Sequence, residues 1–112
     1  MREFKFRHYN KDNKEMHHFK LGDYPELYSD KDVVMQFTGL LDKQGKEIYE
    51  GDIVECEQLG QKQKGKVIFR KGMWSWEFEK GKDSWLYECV KQWKGEIIGN
   101  IYENPELLGN TK

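Results

Sequence analysis

The 112-residue chain has two cysteines, two prolines, little alanine or leucine, no long apolar run and almost no net charge. Each shortage excludes something. Cys56 and Cys89 lie far apart, outside any C-x-x-C spacing, so neither a disulfide framework nor a cysteine metal motif is expected. Two free thiols in a reducing compartment follow from that. No window approaches the roughly 20 apolar residues of a membrane span. The first residues are charged and alternate with phenylalanine, unlike a signal peptide. A formal net charge of −1 argues against nucleic-acid binding by the whole surface. Neither G-x-x-x-x-G-K-[ST], G-x-G-x-x-G nor a nucleophile elbow occurs, so the chain reads as no enzyme. Repeats and low-complexity segments are absent too.

Aromatic residues make up 14% of the chain and glycines number 11, a composition that favours strands over helices. The aromatics also offset a 35% charged content, because each one buried removes a large apolar area from water. At this length one domain is expected over residues 1–109, with 110–112 as a frayed tail.

Period-2 alternation marks most of the chain. Phe4, Phe6 and His8 alternate with Lys5, Arg7 and Tyr9, and His17, Phe19 and Leu21 continue beyond a polar turn centred on Asp12-Asn13. That hairpin would pair Phe6 with Phe19 and Phe4 with Leu21. Gly22 to Lys31 reads as a loop. A short strand, Val33 to Phe37, ends at Thr38-Gly39. Tight corners follow at Asp42–Gly45 and Glu50–Asp52, where Gly45 and Gly51 are expected at positive φ. Ile53–Cys56, Gly65–Phe69 and Met73–Glu79 are further strands around a polar tip from Gln58 to Lys64. Trp85, Cys89 and Trp93 recur every four residues, as in a short helix. Glu96–Tyr102 is a last strand with Gly99 as a bulge or close-approach point. Asn104-Pro105-Glu106 then opens a helical turn that buries Leu107 and Leu108 and stops at Gly109. The architecture expected is mostly β: a small, strongly bent SH3-like barrel or sandwich, an added N-terminal hairpin, and one or two short helical turns near the C-terminus. Trp74, Trp76, Phe78, Ile53, Val67, Phe69 and Ile101 form its expected core.

Few residues look chemical. Asp42-x-Gln44-Gly45 begins like a calcium loop, but Lys46 ends the ligand series and a hairpin turn is the plainer reading. His8 and His17 would face each other as a partly exposed pair with no third ligand at motif spacing. Cys56 and Cys89 would be buried and inert. Asp52 would cap the Glu50-Gly51 corner. No cofactor and no metal is expected. Lys62, Lys64, Lys66, Arg70 and Lys71 form a basic ribbon, without an acidic residue from Gln58 to Gly72, that leads into Trp74 and Trp76. Small barrels hold nucleic-acid backbone with such ribbons. Alternatively, lysines there deter edge pairing while the tryptophans fill the core.

Two stretches are more specific than the rest: Met35 to Val54 and Ile98 to Leu108, each dense in turn residues between apolar β-type residues. With the opening Met1–Arg7 they resemble the YopX family, small proteins found mostly in bacteriophages and prophages. The resemblance runs the length of the chain. It implies a phage or prophage context and a β fold, and it supplies no catalytic or binding residues. The combined expectation is a non-catalytic accessory protein in the host bacterial cytoplasm, most readily a protein-interaction module with a protein partner or a second copy of itself, and no membrane association. The alternative is a weak DNA- or RNA-binding domain using the Lys62–Lys71 ribbon.

Overall fold

The computed structural model describes residues 4–23 and 30–109. The tail at 110–112 and most of the Gly22–Lys31 loop fall outside those residues. Among the described residues nine strands form two antiparallel sheets: β1 (Lys5–Asn10), β2 (Glu15–Lys20), β3 (Asp32–Leu41) and β4 (Glu47–Tyr49) in the order β2-β1-β3-β4, and β5 (Asp52–Gln58), β6 (Gln61–Arg70), β7 (Met73–Glu79), β8 (Lys82–Trp85) and β9 (Glu96–Asn100) in the order β8-β7-β6-β5-β9. Helix α1 (Leu86–Trp93) and a 3-10 helix (Pro105–Leu108) are the helical elements among the described residues. The fold is mostly β, as the sequence indicates, but the sheets stay open and no barrel closes.

The N-terminal hairpin has the anticipated register, with Phe6 opposite Phe19 and His8 opposite His17. Asn10 sets its turn by accepting the Asp12 and Asn13 amides at Oδ1. The face that packs against the second sheet, however, is not the phenylalanine face. Arg7, Tyr9, Met35 and Phe37 point inward and are buried, while Phe4 and Leu21 are exposed. Tyr9 stacks on Tyr102 and Phe6 stacks on Phe19 on opposite sides of the sheet. Alternation alone cannot say which of two mixed faces wins.

β3 does not stop at Thr38-Gly39. It runs on to Leu41 through an irregularity, with Phe37 opposite Tyr49 and Leu41 opposite Glu47, so four steps of β3 match two of β4. The Thr38 hydroxyl donates to Ile48 O at 2.8 Å across the gap. At the next corner Asp42 is buried, its Oδ1 accepting the Gln44 and Lys46 amides and its Oδ2 the Ile97 amide of β9. The supposed calcium-loop aspartate is thus a three-bond staple. Gly45 (φ 84°) and Gly51 (φ 89°) hold the left-handed backbone their corners need.

In the second sheet Val54, Cys56, Val67 and Trp76 form the inner face and pack against Leu86, Cys89 and Val90 of α1. Trp76 donates its indole Nε1–H to Val54 O at 2.9 Å, which satisfies its only polar group. Of the expected core, Trp76, Val67 and Ile53 are buried, and Trp74, Phe78 and Ile101 are half-buried. Phe69 is exposed near the β6–β7 turn, where it packs against Trp74. Trp85 precedes α1 and is exposed too, so the inward stripe is Leu86, Cys89, Val90 and half-buried Trp93. Ile98 is the extra residue of a bulge between the Ile53–Gly99 and Val54–Ile97 pairs. Leu107 seats against Gly99, where a Cβ would meet Leu107 Cδ1 at 2.7 Å. Leu107 and Leu108 are half-buried rather than buried, and Asn104 caps its turn with backbone while its Oδ1 accepts the Asn100 amide.

Candidate functional site

Two features lie along the seam between the sheets. The first is polar. Arg7, on β1, places Nη2 at 2.8 Å from Asp52 Oδ1 and donates to Glu50 O at 3.1 Å, while its guanidinium lies 5.0 Å from the Tyr49 ring centre. Asp52 Oδ2 accepts the Tyr49 amide at 2.7 Å. Both charged side chains are buried. Burial pushes the Asp52 carboxyl above its ordinary range and outweighs the pull of Arg7. Arg7 Nε has no hydrogen-bond partner among the described residues. An ion pair with that much desolvation fixes geometry more than it stabilises.

The groups around it are similarly self-engaged. Lys5 pairs with Glu47, which holds the Glu47 carboxyl below its usual value. Tyr49 donates its hydroxyl to Glu47, and burial, together with that carboxylate, raises its pKa to about 12. His18 rests edge-on against Tyr49, and desolvation followed by the Arg7 charge lowers its pKa. Arg7, His18, Asp52, Asn100 and Glu103 border an opening of about 430 Å³. Asn100 spends Oδ1 on the Tyr102 and Glu103 amides and Nδ2 on Glu103. Perturbed groups cluster here because a buried charge pair sits between sheets. The side chains of this cluster are spent on one another, so it reads as a clamp.

The second feature is a groove of mixed lining that carries several exposed apolar side chains. It holds about 880 Å³ and runs between β3 and the β6–β7 turn, with Phe4, Phe37, Leu41, Phe69, Met73 and Trp74 among its lining residues. Phe69 is 57% exposed, Leu41 49%, Phe4 47% and Met73 38%. Phe69 packs edge-on against Trp74 at 4.9 Å. Large apolar side chains converging on one surface depression are the usual mark of an interface.

The basic ribbon is laid out along β6 and its turn. Lys62 and Lys64 stand opposite Glu57 and Glu55 of β5. Lys66 Nζ is 3.5 Å from Glu77, and Arg70 is 3.4 Å from Glu77 and 3.6 Å from Asp83. Lys71 sits in the β6–β7 turn at φ 53°. Neighbouring strands thus match the ribbon's charge locally, a pairing that the stretch from Gln58 to Gly72 does not reveal by itself. Trp76 beside it is core, and half-buried Trp74 turns to the groove.

The remaining candidates disperse. His8 is buried rather than partly exposed, because Asp32 Oδ1 takes both its Nε2 and Asn10 Nδ2 at 2.7 Å. His17 is exposed and meets Glu15 at 3.1 Å. Among the described residues no three His, Cys, Asp or Glu side chains converge as a metal site. Also among them, no helix is long and apolar enough to cross a membrane. Sequence reading missed the Arg7–Asp52 pair, which is separated by 45 positions in the chain and leaves no local signal. The groove was missed as well, because Phe69 reads as a core residue in the sequence and is exposed in the fold.

Two open antiparallel sheets, clamped by ion pairs at their seam and stapled by buried aspartates at their corners, define a class of small β protein in which no catalytic constellation appears among the described residues. The YopX protein family model matches residues 7–109, and the chain belongs to the YopX family. The crystal structure of protein EF1440 from Enterococcus faecalis is similar, with a TM-score of 0.67 and 26% identity over 94% of this chain and 97% of that one. The crystal structure of yopX from Bacillus subtilis shares the fold, with a TM-score of 0.66 and 21% identity over 99% and 100% of the two chains. No curated protein matches the chain.

Proposed function

We propose that this chain is a non-catalytic protein-interaction module of phage or prophage origin, acting in the host cytoplasm, with the seam groove as its contact surface. The observation that carries this reading is the convergence of exposed Phe4, Leu41, Phe69 and Met73 on one groove in a chain otherwise rich in charge. A self-complementary apolar patch suffices for an isologous contact, so a second copy of the chain is the first partner to test. The matched charges along β6 support this reading over nucleic-acid binding.

Neutralising the ribbon separates the two. Lys64→Gln, Lys66→Gln and Arg70→Gln together should leave self-association unchanged. Binding of a random oligonucleotide, followed against salt, should be weak in both proteins. Submicromolar oligonucleotide binding at physiological salt, lost in the triple variant along with about one unit of salt slope per phosphate contact, would establish the nucleic-acid reading instead.

A further inference from the structure

The groove leaves the basic ribbon unexplained. Val67 of β6 is buried in the core, and a Cβ on Gly65 would meet Trp76 Nε1 at 2.6 Å. By alternation Lys62, Lys64 and Lys66 project from the other face, about 7 Å apart along the strand. The 3-10 helix Pro105–Leu108 packs against β6, and a depression of about 530 Å³ lies beside it. Its lining joins those three lysines to Lys80 of the β7–β8 turn and to half-buried Leu107 and Leu108. The two carboxylates in that lining are already spent. Glu77 lies 3.5 Å from Lys66 and 3.4 Å from Arg70, and Glu79 lies 3.6 Å from Lys82. Glu57 and Glu55 stand opposite Lys62 and Lys64, but among the described residues no ion pair closes on Lys62, Lys64 or Lys80. Like charges gathered on one depression repel, and an anion seated between them would relieve that repulsion. The rest of the lining decides what the anion is attached to. Leu107, Leu108 and the lysine stems are aliphatic. The Phe78 ring, the one aromatic in the lining among the described residues, is engaged with Trp76 at 5.2 Å. The lining therefore gives an alkyl chain a wall and gives a nucleic-acid base no free ring to stack on.

We propose that this depression binds a single amphipathic anion, an alkyl chain carrying a carboxylate or phosphate head. The head sits among the Lys62, Lys64 and Lys80 ammonium groups, which donate charge-assisted hydrogen bonds to it. The chain lies over Leu108 and along the lysine stems, where it leaves water. The depression shares no lining residue with the groove, so this site stands independently of the contact surface proposed above.

The test is titration calorimetry on the full chain, with octanoate and octyl phosphate as probes and inorganic phosphate, octanol and a random oligonucleotide as controls. Either amphiphile should saturate a single site below about 1 mM, and more weakly as salt rises. Inorganic phosphate and octanol, each holding half of the required chemistry, should not saturate. Lys64→Gln with Lys80→Gln should weaken amphiphile binding about tenfold or more, and both side chains are exposed, so the fold should survive the change. Leu108→Ser should weaken it severalfold, and Phe69→Ser with Met73→Ser should leave it unchanged. Wild type that binds neither amphiphile overturns the proposal without any variant. So does inorganic phosphate or octanol binding as tightly as the amphiphiles, and so does amphiphile binding that survives the lysine changes or is lost with Phe69 and Met73. Oligonucleotide that displaces the amphiphiles with submicromolar affinity would assign the lysines to a nucleic-acid backbone instead.

Discussion

The two sheets are held by different physics. The second sheet closes over a dry cluster, Val54, Val67 and Trp76 against Leu86 and Cys89 of α1, with the single indole N–H satisfied by Val54 O. The first sheet docks through charges and rings: Arg7 on Asp52, Arg7 over Tyr49, Tyr9 on Tyr102, and His8 with Asn10 on Asp32. An apolar contact tolerates small shifts, whereas a desolvated ion pair works in one geometry only. The second sheet therefore supplies stability, and the first is fixed in position against it, leaving the groove between them open.

Breaking the dry cluster should have the largest effect. Trp76→Ala should cost about 3–5 kcal/mol in urea unfolding, through lost burial and a cavity. A change below about 1 kcal/mol would mean that the cluster is not the stabilising core. Arg7→Met comes next, at about 3 kcal/mol, because it strands Asp52 buried and uncompensated. Combining it with Asp52→Asn should recover part of that loss, and strictly additive costs would show that the pair is not coupled. Gly51→Val should cost more than about 1 kcal/mol, since a side chain there is strained at φ 89° and its Cβ would stand 3.1 Å from Met35 Sδ. An unchanged midpoint would refute the corner's role.

The smallest effect is a pH dependence of the first sheet. The pKa of His18 is lowered in the folded chain, so the unfolded chain binds the proton more readily. The stability His18 contributes is present above its ordinary value of 6.5 and is lost as pH falls through and below it. His18→Gln should flatten the fall in Tm between about pH 7.5 and pH 5 that this linkage produces. A variant with the wild-type slope would remove His18 from the account.

What the sequence made legible follows the same division. Alternation and turn chemistry located the first hairpin to the residue, both positive-φ corners and the close approach at Gly99, because these are local properties of neighbouring residues. Which face of the hairpin packs inward was not legible. Arg7 and Tyr9 win over Phe4 and Phe6 only because Asp52 and Tyr102 wait in the second sheet. The same holds for His8, whose burial depends on Asp32. The ribbon residues were found, but the carboxylates that balance them lie on three other strands. Phe69 alternates with its neighbours as a core residue should, and its exposure appears only in the assembled fold.

The open groove between these two unlike sheets is the centre of the functional account, and sedimentation velocity across a wide concentration range tests it most directly. Wild type should associate reversibly with rising concentration. A Phe69→Ser, Met73→Ser double variant should stay monomeric while keeping nearly the wild-type Tm, because both side chains are already exposed. Wild type and variant that sediment alike at every concentration would contradict the assignment of the groove as the contact surface for a second copy.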